Sequence, residues 1–479
     1  MNRREFLRHS AMALAISPFV SIAGCGRKIV ADFAIVGSGP AGIAVADRLA
    51  QAGRQVVVLE GGLHQPSEAL QAMHAVEPGQ WGLPYKFGWA TQRMLGGTTN
   101  LWQSHSPRPH DIELMSASQR GYGVDWPITP AQLRPWLASA EAWLRIRPAD
   151  PANNPDLPLN PYIASSAELR TLLAKHYQTL EAGAYGMVNR EGIDALRLLK
   201  HGEIERVAAL KTVAIHPGTT VRRILMDGQR AAALECADQQ GKALTIEAGV
   251  IIVCGGGIQT PRLLWNSTKN GIGNHSDWLG AGFMDHPGLR MYGHRDKPLL
   301  PADAQETHLH IRDMLFDKAH HGLGGTLLRV GLRPAPDGIE YTLVETLFEQ
   351  APDRGNRIVR GSGKDPLGDP LAKMHYRLTG LDKASIALGE RLQRSLALQI
   401  GTIDSAGPFR HSSHHLCGAT RMAKDPAEGV VDTDLRVWGT DNLYIAGSSV
   451  FPTSTTVPPT LILTALAQRL ASHLLGSRT

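Results

Sequence analysis

The sequence predicts an α/β protein (α+β overall), with a sheet of buried parallel strands and an inserted, mostly antiparallel sheet. Three observations predict it. An apolar strand, Phe33 to Val36, runs into Gly37, Gly39 and Gly42 at the start of a helix-period segment. A second strand, Val250 to Cys254, runs into another glycine turn and helix at 255–264. From about 295 to 400, short runs alternate polar and apolar residues, the signature of antiparallel strands with one face covered.

The stretch from Ala31 to Gly62 carries the most local information. Gly37 permits a tight strand-to-helix turn, Gly39 lets the backbone approach a pyrophosphate, and Gly42 lets helix pack closely on strand. A pyrophosphate would then face free N–H groups at the positive end of the helix dipole. The second strand, Val56 to Leu59, ends on Glu60, an acid placed to accept hydrogen bonds from ribose hydroxyls. Strand, glycines, helix, strand and acid in this order specify a dinucleotide site. They do not separate FAD from NAD.

Composition sets the outer bounds. The chain has 479 residues, enough for two or more domains or one interleaved one, and 43% are hydrophobic. Its net charge is +5, but Lys and Arg are scattered and no basic run with interleaved aromatics marks a nucleic-acid surface. No mature segment is long and apolar enough to span a bilayer. At the start, Asn2 to Arg8 resembles a twin-arginine export motif and Ala11 to Val20 is a short apolar stretch. Ile22-Ala23-Gly24-Cys25 resembles a lipoprotein processing site. Residues 1–25 are therefore expected to be a leader to the periplasm, ending either in acylation of Cys25 or in simple cleavage nearby; the alternative is a hydrophobic start that folds into the domain. Cys236, Cys254 and Cys417 form no disulfide framework, and without a C-x-x-C-H the chain carries no c-type haem of its own.

Further along, Gln92 to Trp102 contains Gly96-Gly97-Thr98-Thr99, a backbone nest able to contact phosphate or a ring edge. Thr129 and Pro130 read as the cap and first position of a helix. Five prolines between Arg147 and Pro161 read as an extended surface connection. Gly202 to Leu210, Thr212 to Val221 and Ala231 to Ala237 read as short strands, and Thr260 with Pro261 as the opening of the helix after Cys254. In the last 70 residues His411-Ser412-Ser413-His414-His415 precedes Cys417 and Gly418, and a strand, Leu443 to Ala446, closes on Gly447-Ser448-Ser449. Thr456-Val457-Pro458-Pro459-Thr460 then leads into a closing helix with Leu461, Ala465, Leu466 and Leu470 on one face. The histidines and Cys417 also admit a zinc reading, but no second ligand group has matching spacing, so no metal is expected.

With these segments in order, the chain resembles the glucose–methanol–choline (GMC) oxidoreductases, especially their bacterial sugar and polyol dehydrogenase branch. The resemblance implies a Rossmann-like FAD domain in three pieces, 30–110, 200–290 and 410–479, with a substrate domain from 111–199 and 291–409. It implies FAD held by Gly37, Gly39, Gly42, Glu60, Gly97, Thr98, the backbone of Val221, Gly447 and Ser448, with Pro459 and Thr460 placing the closing helix end by the flavin. Asp285-His286-Pro287 and Glu349-Gln350 look like recurring family residues. Some relatives bear a histidine joined covalently to the flavin where this chain has Leu101, so dissociable FAD is expected. His415 matches the family's active-site histidine and would accept the alcohol proton while hydride leaves for the flavin. The family's second catalytic His or Asn falls on Pro458, which has neither side-chain polarity nor N–H. Ser454, Thr455, Thr456, His414 or a water would have to replace it. The expected activity is oxidation of a CH–OH group of a sugar, glycoside or polyol, with electrons passed to a cytochrome or quinone. Two alternatives stand beside it: an oxygen-reducing oxidase, and a flavin-bearing subunit with a decayed site. Nothing after Glu60 resembles a nicotinamide domain.

Overall fold

Arg27–Val36 (β1), Pro40–Gln51 (α1) and Val56–Glu60 (β2) form a parallel unit in which Phe33, Ala34, Ile35, Val56, Val57 and Val58 are fully buried. Both faces of the sheet are covered, so these strands read as unbroken apolar runs rather than alternating ones. The computed structural model describes residues 20–21, 27–81, 90–146, 167–183, 202–303 and 307–476. The expected leader apart from Val20–Ser21, the Cys25 processing site and the proline-rich connection at 147–161 lie outside the described residues.

Pro130–Trp143 (α2) begins at the expected cap: Thr129 Oγ1 accepts from Gln132 N at 3.3 Å, and Gln132 Oε1 accepts from Thr129 N at 2.8 Å. Val213–Pro217 (β3) pairs in parallel with β2. Thr220–Asp227 (β4), Arg230–Ala237 (β5) and Ala243–Val253 (β6) form an antiparallel meander, and β6 returns parallel to β1 along nearly its whole length. That long pairing extends both strands well beyond their apolar cores. The resulting order is β3-β2-β1-β6-β5-β4.

Two expectations on this side are corrected. Gly202 to Leu210 is not a strand: Glu203–Ala208 is a helix whose Ile204 and Val207, three positions apart, are buried. Arg206 fastens it to α1 through Asp47 at 2.6 Å. The helix after β6 is Gly256–Ser267 (α3) and begins at the glycines, not at Thr260. Gly257 packs against the Leu416 backbone, where a Cβ would lie 2.7 Å from the Leu416 carbonyl oxygen. This contact sets the helix start, and Pro261 is carried inside it despite the lost N–H.

The second sheet is antiparallel, built from Gly288–Arg295 (β7), Thr307–Ile311 (β8), Thr326–Pro334 (β9) and Glu340–Phe348 (β10) in the order β7-β10-β9-β8. Ser405–Ala406 adds to the β7 edge and Glu181–Ala182 to the β8 edge. Arg357–Lys364 (β11) and Pro370–His375 (β12) form a third, small sheet with Val76–Pro78. The alternating run expected up to residue 400 ends earlier, because Gly380–Ile400 (α4) is a 21-residue helix. Its buried positions are Asp382, Ser385, Gly389, Gln393, Leu396, Ala397 and Ile400, so the first half of the covered face carries no large apolar residue. Thr379 and Asp382 cap it, Gly389 admits the Phe348 ring, and Gln393 Nε2 donates to the Leu289 and Val344 carbonyls at 3.1 and 2.7 Å. A helix seated on polar contacts has no apolar period to read.

Leu443–Ile445 (β13) joins the first sheet parallel to β6. Thr460–Gly476 (α5) then packs against α1 and α2. Leu461, Ala465, Leu466 and Leu470 are fully buried as expected, but so are Ile462 and Ala467, so the helix is enclosed almost all round rather than on one face.

Candidate active site

The strand ends of the first sheet and one face of the second enclose a cavity of about 750 Å³. Gly37, Gly39, Glu60, Gly97, Thr98 and Val221 line it from the N-terminal half of the chain. His415, Gly447, Ser448, Pro459 and Thr460 line it from the C-terminal part. Gly42 alone among the anticipated residues does not; it lies behind the turn, where a Cβ would sit 2.0 Å from the Gly37 carbonyl oxygen. Gly37 itself has φ +107°, a conformation L side chains avoid.

The nucleotide end is knitted around Glu60. Its Oε2 accepts from Ser38 N at 3.1 Å and Ser38 Oγ at 2.7 Å, and its Oε1 from Gly62 N at 2.7 Å. Ser38 Oγ also accepts from Gly96 N at 3.1 Å, tying the first turn to the Gly96–Thr99 loop. Arg93, which the sequence did not single out, enters here and donates to Thr220 Oγ1 at 2.7 Å. This end fits a dinucleotide. A Cβ on Gly39, Gly256 or Gly447 would meet nothing within 4 Å, so three stretches of backbone face open space. Among the described residues, buried polar atoms around that space lack protein partners: His74 Nδ1, Gln92 Oε1, Arg93 Nε, Trp102 Nε1 and Gln259 Nε2. Buried donors and acceptors left unmade are costly, and a large polar ligand satisfies them.

At the other end, His415 is held by a partner that spacing did not reveal. His415 Nδ1 lies 2.8 Å from His286 Nδ1, and His286 Nε2 lies 2.8 Å from the Thr455 carbonyl oxygen. Burial pushes the pKa of His415 well below the usual range, assisted by His286, His414 and Arg410; burial also lowers that of His286. Both rings are therefore neutral near pH 7, and the tautomers follow in sequence. A carbonyl only accepts, so His286 Nε2 carries the hydrogen and its Nδ1 is bare. His415 Nδ1 must then donate to it, which leaves the lone pair on His415 Nε2, a nitrogen without a hydrogen-bond partner among the described residues.

The backbone around this pair is clamped by buried carboxylates. Asp285 Oδ1 accepts from His286 N at 2.7 Å and His415 N at 2.9 Å, and Oδ2 accepts from Ser412 Oγ. Glu113 Oε1 accepts from the N and Oγ1 of Thr456, both at 2.7 Å, fixing the loop whose Thr455 carbonyl orients His286. These partners come from segments far apart in sequence. Asp285 and His286 are adjacent in sequence, but their role rests on contacts that only folding makes.

Pro458 lines the cavity and brings no polar group to it. Three of the residues expected to replace the missing second catalytic side chain are turned away. Ser454 Oγ bonds to Gln350, Thr456 Oγ1 to Glu113 and Thr455 Oγ1 to the Val457 carbonyl, and none of the three lines the cavity. His414 does line it, at the left-handed φ of 65°. Leu101, with an apolar side chain, lines it as well. Two buried thiols, Cys254 and Cys417, are poor nucleophiles: burial pushes Cys254 up to about 12 and Cys417 well above its ordinary value.

The family models match in the same places. A GMC oxidoreductase N-terminal model matches residues 200–288, its C-terminal counterpart residues 352–467, and an NAD(P)-binding Rossmann-like model residues 35–101. The chain is 29% identical to 6'''-hydroxyparomomycin C oxidase of Streptomyces lividus, over 93% of this chain and 92% of that one. It is 24% identical to the fructose dehydrogenase large subunit of Gluconobacter japonicus, over 94% and 98%. The crystal structure of a pyridoxine 4-oxidase superposes with a TM-score of 0.65 at 20% identity, covering 93% of this chain and 99% of that one. An Aspergillus oryzae formate oxidase variant, solved to follow FAD modification, gives 0.65 at 17% identity, covering 94% and 98%. The dinucleotide cradle, the His415–His286 pair beside it and these matches along the chain lead to one conclusion: the chain belongs to the GMC oxidoreductase family, and is an FAD-dependent oxidoreductase of CH–OH groups.

Proposed function

We propose that the protein is an exported dehydrogenase that oxidises a secondary or primary alcohol of a sugar, glycoside or polyol, with electrons leaving to a cytochrome or quinone. The observation that carries the chemistry is the tautomer chain from Thr455 through His286 to His415. It leaves a neutral imidazole with a free Nε2 at the wall of the cavity, fit to take the hydroxyl proton. Bound FAD supplies the acceptor for the carbinol hydride and its electron pair. Gly39, Gly447, Arg93 and the start of α5 at Thr460 would hold it, with the helix end favouring negative charge nearby. As the proton passes to His415 Nε2, the O–H electron pair closes the carbonyl double bond and the product leaves neutral, while the imidazolium charge is balanced by the electron pair that departs with the hydride. His286 keeps the ring aimed throughout, since Asp285 and Glu113 hold both loops.

Two further features belong to this reading. The twin-arginine-like leader supports folding around FAD before export, and Cys25 supports a lipid tether in the periplasm. Leu101 supports non-covalent FAD, because a hydrocarbon side chain offers no atom for a flavin linkage. An oxygen-reducing variant is the second reading, favoured by relatives named as oxidases, such as the S. lividus protein. Peroxide release during turnover separates the two.

The test is anaerobic mixing of flavin-loaded protein with a panel of alcohols and sugars, followed by flavin absorbance. At least one should bleach the flavin, and His415→Ala should slow that step by about 100-fold or more. Bleaching at an unchanged rate in His415→Ala would remove His415 from the proton transfer.

A further inference from the structure

Proton transfer and cofactor binding leave unexplained a row of charges on the face of the second sheet that lines the same cavity. Glu345 lies on β10, with Arg290 directly opposite on β7 and Arg329 directly opposite on β9. Directly opposed residues of an antiparallel sheet project from one face. All three line the cavity, and Arg410, just beyond the edge of β7, folds over to join them. Glu345 Oε1 accepts from Arg290 Nε at 2.7 Å and Arg410 Nη2 at 2.7 Å, while Arg329 Nη2 reaches Oε2 at 2.6 Å.

Burial opposes ionisation of Glu345, yet the three arginines hold its carboxyl down to about 2. One carboxylate thus faces three guanidinium groups. Asp285 is fully buried outside the cavity lining, and its oxygens are already engaged by Ser412, Ser413, His286 and His415. Asp365 and Asp369, which line the same cavity, are paired with Arg262 and with Arg222 and Arg223. Positive charge is left in surplus around Glu345 at a partly buried wall of the cavity, a setting that favours an arriving anion. Among the described residues, the buried Arg410 Nε and Ser413 Oγ have no hydrogen-bond partner. Gly288 opens the gap between them, since a Cβ would lie 2.9 Å from Arg410 Nη2 and 3.3 Å from Ser413 Oγ. The cluster is also close to the proton acceptor, for the charge of Arg410 bears on His415.

We infer that the substrate is an alcohol carrying an anionic group, a carboxylate or a phosphate, which Arg290, Arg329 and Arg410 receive while its CH–OH group faces His415. Glu345 serves as the hub that keeps three mutually repelling guanidinium groups converged on the cavity. Planar donor forks suit either anion, with paired hydrogen bonds stronger than neutral ones. This inference rests on the CH–OH oxidation proposed above.

The test compares matched probes in anaerobic flavin reduction: glucuronate against glucose, and glycerol 3-phosphate against glycerol. The anionic member of at least one pair should be preferred by about tenfold or more in reduction rate over half-saturating concentration, as one charge-assisted contact warrants. Which pair shows it separates carboxylate from phosphate. Raising ionic strength should narrow the preference. Arg410→Gln should cut the anion-to-neutral ratio by about tenfold, and Arg410→Lys should restore part of it. Equal use of charged and neutral partners would overturn the anionic substrate while leaving alcohol oxidation standing. If no probe bleaches the flavin, calorimetric titration with glucuronate and inorganic phosphate decides the matter separately. Saturable binding weakened in Arg410→Gln upholds the anion site, and no binding of either overturns it.

Discussion

Replacing His286 by phenylalanine isolates its part in aiming His415. An aromatic ring is kept, though a somewhat larger one, but the acceptor for His415 Nδ1–H and the donor to the Thr455 carbonyl both disappear, each from a contact of 2.8 Å. His286 is 1% exposed and does not line the cavity, so the change touches neither substrate nor flavin directly. Losing the acceptor strands a buried N–H, at a cost of about 1–3 kcal/mol, and the ring can escape by shifting its hydrogen to Nε2. That tautomer has no lone pair to offer the alcohol. At about 1.4 kcal/mol per decade, the expected slowing of anaerobic flavin reduction is about 5- to 150-fold. His286→Gln, which carries both an acceptor and a donor, should recover part of the rate. The readout that a merely structural role would not move is the ¹⁵N spectrum of histidine-labelled protein. In the wild type Nε2 of His415 should resonate as the unprotonated nitrogen, and in His286→Phe that signature should move to Nδ1. A wild-type His415 protonated on Nε2, or a His286→Phe variant that reduces flavin at full speed, would refute the tautomer chain.

Three other outcomes are expected. His415 accepts a proton only when neutral, and burial, then His286, His414 and Arg410, lower its pKa well below the ordinary 6.5. The rate of flavin reduction should therefore hold through pH 6.5 and fall only in more acidic solution, whereas an acid limb above that value would show a solvated base. Gly42→Ala places a Cβ 2.0 Å from the Gly37 carbonyl oxygen, so the turn must move. Such overpacking costs about 1–3 kcal/mol, and the purified variant should melt lower and carry less flavin than wild type. With Leu101 beside the cavity in place of a linking residue, acid denaturation should release all the yellow colour, and a flavin-labelled band on a denaturing gel would contradict this.

The amino-acid sequence by itself determined the parts of the protein governed by near neighbours. Gly37, Gly39 and Gly42 declare themselves because a strand-to-helix turn around a pyrophosphate constrains residues a few positions apart. The Thr129 cap was legible for the same reason, since its hydrogen-bond partner Gln132 is three residues on. Where burial rests on polar contacts the pattern fell silent, as in α4, whose covered face runs through Asp382, Ser385 and Gln393. Similarly, Thr260-Pro261 resembled a helix start until the approach of Gly257 to Leu416 moved the start upstream.

Only the tertiary structure decided how the active-site end is arranged. Pro458 leaves the expected second side chain absent, and the partner of His415 comes instead from position 286, 129 residues away. The arginine row depends on register: Arg290, Arg329 and Glu345 meet because three strands pair with no slip between them, and a shift of one residue would send Glu345 to the opposite face. Periodicity reports which face of an element is covered. It holds no record of which distant element covers it, and the chemistry of this cavity is made of those long-range meetings.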